Sequence, residues 1–363
     1  MKNKSLLYQT VAKVIPVVLL VIGMTQTGYV REIRSIKTYK FSDLSLITKI
    51  AISHDDRLMF IGGRKDVPFT SDRKCYGYIF SLQTEQIITT FLQHTNSITG
   101  ACFSPDDKKI VTAGYPYTLW YWNTNTGEVL QTFTTRAKPS AYTYGAIFGI
   151  DFFADGIRMI AGDDCGNIHI WNLNTGAELM WSNPMYTGGG LTQIQKLDLF
   201  QNDEKVMVYG GTSPVEIRST RSGTYLYWIG ANAIVIDPNE KFFIGTIANF
   251  FQRYDINTGE VIEKISTFDS SKKRGSKNVF SPNGEFLVND NLYPIEGDSP
   301  YPTITDVQSG QIIGNLTAEK SDQIIKPDYI EFSPSGKYLM ISKENSISIF
   351  SMSNLHAGVK ENY

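Results

Sequence analysis

The chain has only three cysteines, Cys75, Cys102 and Cys165, and four histidines, His54, His94, His169 and His356, in 363 residues. The cysteine number is odd and no metal-ligand spacing occurs, which argues against a disulfide framework or a zinc site. The histidines are scattered along the chain, so neither a catalytic triad nor a metal cluster is expected. A dominant charge is missing too. Lys and Arg number 34 against 36 Asp and Glu, a net charge of −2, and no global field favours nucleic acid. No stretch of about ten residues shows a convincing helical period. The glycine-rich segment TGGGL at residues 187–191 is followed by no lysine and opens no helix, so it lacks the parts of a phosphate cradle and reads as a loop between repeats.

What is present is repetition. A short phrase recurs as ISHDD at residue 52, FSPDD at 103, FFADG at 152, LFQND at 199, IDPNE at 236, FSPNG at 280 and FSPSG at 332. These starts lie between 37 and 52 residues apart. Asp, Asn, Gly and Pro make each phrase a tight turn, and apolar runs lead in and out of it, so it reads as a hairpin. A second turn follows, as NTGEV at 125, NTGAE at 174, RSGTY at 221, NTGEV at 257 and QSGQI at 308. Aromatic-rich runs precede it, such as TLWYW at 118 and IHIW at 168. Each unit thus holds four short strands, counted here from first (innermost) to fourth (outermost). Units of this size, used many times, predict an all-β protein: a seven-bladed β-propeller of four-stranded antiparallel blades.

The seventh unit supplies only three strands, ending near Phe350. An unpaired edge is a liability. The segment EIRSI at residue 32 resembles EVLQT at residue 128, an outer strand, so residues 31–39 are expected to pair with the last blade and close the ring. With 42% hydrophobic content and no linker between repeats, one domain over residues 31–353 is the simplest organisation, followed by a polar tail at 354–363.

These residues resemble the WD-repeat (tryptophan–aspartate repeat) propeller family. The best match is residues 93–133, and the next is 162–176. The glycine–histidine pair of the family is reduced to Gln93-His94, and its terminal Trp-Asp becomes Trp122-Asn123, Trp171-Asn172 and Tyr254-Asp255. The resemblance implies that His94 hydrogen-bonds across its blade toward Thr112 and Trp122 through a loop aspartate, with Trp171 in the corresponding place in the next blade. This chain carries Tyr115-Pro116-Tyr117 in that loop, so the aspartate is lost and the network is expected to be incomplete. The resemblance also implies a non-catalytic scaffold for a protein partner, as a monomeric propeller.

The N-terminus differs from the repeats. Lys2, Lys4 and Lys13 precede an apolar run at residues 14–24, and charges are absent from residue 14 to residue 30. This predicts a signal peptide or short membrane anchor over residues 1–30, and an exported or membrane-tethered protein. No Ala-x-Ala cleavage site is visible, so a cytoplasmic chain is the alternative.

Loop lengths place the expected binding surface. The two repeated phrases occupy one face. Irregular material collects on the other, at residues 63–74, 134–144, 181–192, 266–277, 289–302 and 317–327. Candidate contact residues there are Tyr115, Tyr117, Tyr142, Tyr144, Trp181 and Tyr186, with the basic cluster Lys272, Lys273 and Arg274. Asp163 and Asp164 hint at calcium but match the Asp-rich turn of a blade better. A propeller enzyme of lactonase or redox type would need carboxylates, histidines or a metal converging on the axis, and the innermost strands of the second, third and fifth units offer only Asp151. A carbohydrate-binding propeller, resting on residues such as Trp181, is the third reading. No cofactor, metal or catalytic residue is assigned.

Overall fold

The first repeated phrase shows why each blade forms. Its fifth residue sits at positive φ in every unit: Asp56 at 58°, Asp107 at 57°, Gly156 at 65°, Asp203 at 66°, Glu240 at 52°, Gly284 at 70° and Gly336 at 74°. That left-handed conformation suits Gly and is tolerated by Asp far better than by branched residues. The hydroxyl of Ser104 then ties the turn together, donating to Asp106 Oδ1 at 2.6 Å and accepting from Lys109 N at 3.1 Å. Just before the second phrase, the residue after the tryptophan or tyrosine closes the next turn. Asn123 Oδ1 accepts from the amides of Asn125 and Thr126 at 2.9 and 3.1 Å, and Asn172 and Asp255 repeat the arrangement. Short polar side chains that bond their own backbone two residues on are what such turns need.

The computed structural model describes residues 31–66, 73–135, 145–182, 193–210, 215–268, 277–290, 301–317, 327–353 and 355. They form seven sheets, antiparallel but for one strand added parallel at an edge, and, among the described residues, no helix. Five of the sheets have four consecutive strands in sequence order. The innermost strands of neighbouring blades abut from blade 5 through blades 6, 7, 1, 2 and 3 to blade 4, and one shared core joins blade 4 to blade 5. The chain is therefore a closed seven-bladed propeller.

Each blade buries both faces against its neighbours, so the core is divided among the interfaces between blades. Phe60, Ile79 and Phe91 of blade 1 pack on Ile98, Ile110 and Trp122 of blade 2. Trp122 is fully buried, and Phe91 stacks on it with ring centres 4.4 Å apart and planes within 4° of parallel. Similar clusters fill the other interfaces. Burying one such side chain is worth about 1.5–3 kcal/mol, so the ring is held by many modest contributions.

Closure departs from the expectation in one respect. The segment does complete the ring, but it is divided between two blades. β1 (Glu32–Arg34) lies parallel to the outer strand of blade 6, Ile312–Thr317, as a fifth strand. β2 (Lys37–Lys40) is the antiparallel outer strand of blade 7, pairing with Ser346–Ser351. The segment resembling an outer strand is thus not the one that closes blade 7. Ile33 of β1 is buried in the core between blades 6 and 7, and the next residues carry the chain across to blade 7. Leu355, assigned to the polar tail by its position, is 5% exposed in that same core. Residues 1–30 and 356–363 lie outside the described residues. Among the described residues no helix is long and apolar enough to cross a membrane.

Candidate functional site

The face carrying the first phrase is stitched together by its own turns. Where the left-handed residue is acidic, its carboxylate reaches the turn of the preceding blade. Asp107 accepts from the amides of His54 and Asp55 at 2.9 and 3.1 Å, and its Oδ1 lies 2.8 Å from His54 Nδ1. Asp203 accepts from Ala154 N at 2.7 Å, and Glu240 from Gln201 N at 2.7 Å. Asp56 accepts from the Ser335 hydroxyl across the closing seam. These links fasten blades 1 to 2, 3 to 4, 4 to 5 and 7 to 1 on the repeated face.

The opposite face is irregular, and two of its loops interlock. Tyr117, at φ 49°, is only 4% exposed, and its hydroxyl donates to Asp164 Oδ1 at 3.0 Å. Gly145 N donates to Asp164 Oδ2 at 2.9 Å. The loop of blade 2 is thereby fastened to the loop of blade 3, and the side chain of Tyr117 is an anchor inside the molecule that offers no surface to a partner. Tyr115 beside it is half-buried. Trp181 lies on the outer strand of blade 3, in register with His169. Tyr142, Tyr144, Tyr186, Lys272, Lys273 and Arg274 lie outside the described residues.

Two buried polar centres stand behind these loops. In blade 2, His94 Nε2 lies 2.8 Å from Thr112 Oγ1, and Trp122 Nε1 donates to the same hydroxyl at 3.0 Å. No carboxylate joins them, and burial pushes the imidazole pKa down to about 4, so it is neutral at physiological pH. In blade 3 the histidine sits within the strand. His169 Nδ1 lies 2.9 Å from Glu178 Oε1, and its Nε2 lies 3.2 Å from Asp163 Oδ2. Its ring stacks on Trp171, with centres 5.1 Å apart. Asp163 also accepts from the amides of Cys165 and Asn167 at 2.9 and 2.8 Å and from Asn167 Nδ2 at 2.8 Å. Its oxygens are used for holding this turn. Among the described residues no group of three or more His, Cys, Asp or Glu is placed to hold a metal ion.

The channel is more polar than Asp151 alone suggests. On the innermost strands, Lys49 of blade 1 donates to the Tyr329 hydroxyl of blade 7, and Lys196 of blade 4 lies 2.9 Å from Asp198 Oδ2. Lys196 and Glu331, from blades 4 and 7, feel each other's charge. Burial pushes Asp151 up to about 7, opposed by the 2.9 Å bond from Leu199 N and reinforced by Asp198. Burial also raises Glu331, against the pull of Lys49 and Lys196. For both lysines, burial would lower the pKa, but the facing groups outweigh it and hold the ammonium charged: Tyr329 and Glu331 for Lys49, Asp198 for Lys196. The positive and negative groups answer one another, which makes a compensated lining. Reading only three innermost strands missed it. The available signal was positional: Asp151, Asp198 and Glu331 each immediately precede the turn phrase, while Lys49, Lys196 and Tyr329 precede it by three.

Comparison with known proteins agrees with this architecture. The family model described as "WD domain, G-beta repeat" matches residues 85–123, which include His94, Thr112 and Trp122. A protein from Arabidopsis thaliana, "Transcriptional corepressor LEUNIG_HOMOLOG", is 21% identical over 251 residues. The match covers 63% of this chain and 28% of that protein. With seven blades, one repeat that the family model matches and a distant relative whose match extends well beyond that repeat, this chain is similar to the WD-repeat propellers.

Proposed function

We propose that this chain is a non-catalytic scaffold that binds a protein partner through its irregular face. The observation that carries this reading is the contrast between the faces. One is made of repeated turns, four of them latched to the turn of the preceding blade. In sequence the other collects longer loops of differing length, several of them outside the described residues, and variation on one face of a rigid repeat protein is where binding specificity is built. The relative's description as a transcriptional corepressor supports a protein-interaction role. The channel supports scaffolding over chemistry in that both its lysines are held by facing groups, Lys49 by Tyr329 and Lys196 by Asp198.

The test is partner capture by proximity labelling in the native host, with two variants. Reversing the basic cluster (Lys272→Glu, Lys273→Glu, Arg274→Glu) is expected to lose the labelled partners. Altering the opposite face (Lys108→Ala) is expected to retain them. The reverse pattern sinks the assignment of the face. Glycan binding abolished by Trp181→Ala, or a stoichiometric metal in the purified protein, would replace the scaffold with a sugar-binding or catalytic reading.

The basic and apolar N-terminus supports export or tethering, and a cytoplasmic chain is the rival that sits better beside a corepressor-like relative. Leu19→Arg with Leu20→Arg is expected to shift the protein from the membrane or exported fraction to the cytoplasmic one. An unchanged distribution removes the targeting role.

A further inference from the structure

The ring does not need β1. β2 supplies the missing outer strand of blade 7, so β1 is an addition to a blade that is already four-stranded. β1 runs parallel to its neighbour, whereas β2 and the ladders of blade 6 are antiparallel. It is three residues long, with Glu32 and Arg34 exposed and one side chain, Ile33, buried. Its ladder is short: Asn315 N donates to Arg31 O at 2.8 Å, and Ser35 N donates to Thr317 O at 3.1 Å.

The seat for Ile33 is particular to blade 6. A Cβ on Gly314 would lie 2.2 Å from Ile33 Cδ1, 2.7 Å from its Cγ1 and 3.1 Å from Arg31 O, so a side chain there would push Ile33 out of its seat. The positions that correspond to Gly314, counted from the preceding turn, are Thr89, Gln131, Met180, Tyr227 and Glu263 in blades 1 to 5. Their outer edges carry no such notch. Blade 6 therefore combines an open strand edge with a hole shaped for one branched aliphatic side chain, and β1 shows what fits there.

We propose that the outer edge of blade 6 is a strand-addition site for an extended segment of a partner protein, one carrying a single branched aliphatic residue between polar or charged neighbours, and that β1 occupies it in cis until such a segment displaces it. The main-chain ladder supplies generic attraction and the Gly314 notch supplies selectivity, as in other edge-strand recognition. Tethering gives β1 an effective concentration on the order of millimolar. A competing segment must outbind it, or be held nearby by other contacts. The site lies on the rim of the ring and does not depend on the irregular face.

The test uses the full chain and a fluorescein-labelled peptide of residues 31–36, REIRSI. Ile33→Asp removes the anchor of the competitor in cis, so the peptide is expected to bind that variant at least tenfold more tightly than the unaltered chain. Adding Gly314→Val to that variant, or placing Asp in the peptide at the position of Ile33, is expected to abolish binding. A folded Ile33→Asp chain that ignores the peptide overturns the proposal, as does binding that survives Gly314→Val. Sedimentation showing that Ile33→Asp instead captures a second, unaltered copy would overturn the partner reading in favour of strand exchange. If Ile33→Asp does not fold, amide exchange of the unaltered chain decides. Asn315 N is held by β1, and Leu316 N by Pro302 O of its own blade at 2.8 Å. Exchange at Asn315 is expected to be at least tenfold faster, and equal protection refutes displacement.

Discussion

Blades 2 and 3 stand side by side and bury the same kind of tryptophan, yet they satisfy their polar centres by different means. Blade 2 uses neutral groups: His94, Thr112 and the Trp122 indole share one hydroxyl, and the histidine comes from the link between blades. Blade 3 uses carboxyl groups: His169, inside a strand, lies between Asp163 and Glu178 and stacks on Trp171. The fold requires that each blade's second and third strands be pinned where the irregular loops leave them. It does not dictate the chemistry of the pin. Blade 2 has Tyr115-Pro116-Tyr117 in the corresponding loop, and its His94, Thr112 and Trp122 pair without a carboxylate. Blade 3 has an aspartate at its turn and could recruit a histidine from the strand beside it.

The largest effect that bears on this contrast is expected from Asp163→Ala. It strands two backbone amides, the Asn167 amide group and one side of His169, most of them buried, and should cost about 3–5 kcal/mol. Denaturant unfolding measures it. A loss smaller than that of the next variant would show that the carboxyl pin is not the stronger.

His94→Phe comes next, with an expected cost of about 1–2 kcal/mol at neutral pH, since a ring is kept and one neutral hydrogen bond is lost. Its sharper signature is in pH. The folded imidazole titrates near 4 because of burial, against about 6.5 in the unfolded chain. Between those values the unfolded chain takes up a proton that the folded chain refuses, so stability falls as pH drops from about 6.5 to about 4, by on the order of 3 kcal/mol. His94→Phe should remove that part of the slope. An unaltered slope between the two pH values would remove the neutral-pin assignment.

The smallest effect concerns the turns beneath the same two blades. The blade 2–blade 3 interface lacks the acidic latch because Gly156 stands where Asp107 and Asp203 stand in other blades. A Cβ there meets nothing within 4 Å. Gly156→Asp should add a latch while straining the left-handed backbone, for a net change below about 0.5 kcal/mol in unfolding free energy. A large loss would mean that the latches elsewhere depend on more than the side chain.

The repeat was readable because turn chemistry is local. Asp107, Gly284 and Gly336 declare their backbone conformation through residue type alone, and Asn123 or Asp255 declares the turn that follows. Partnerships across the ring were not readable in this way. His169 gains Asp163 and Glu178 only because strand pairing folds residues six before and nine after it onto one spot. Lys196 feels the charge of Glu331 only because blades 4 and 7 face a common channel. Tyr117 looked like a surface aromatic from its loop, but the neighbouring blade's Asp164 takes its hydroxyl inward.

From its residues alone, then, this protein was bound to form seven small antiparallel sheets, because each turn is encoded within a few residues and repeated. Which polar groups would meet, how the first strands would be shared between blades 6 and 7, and which aromatics would reach the surface were settled by ring closure, which brings together groups hundreds of residues apart and leaves a notch at Gly314 for Ile33.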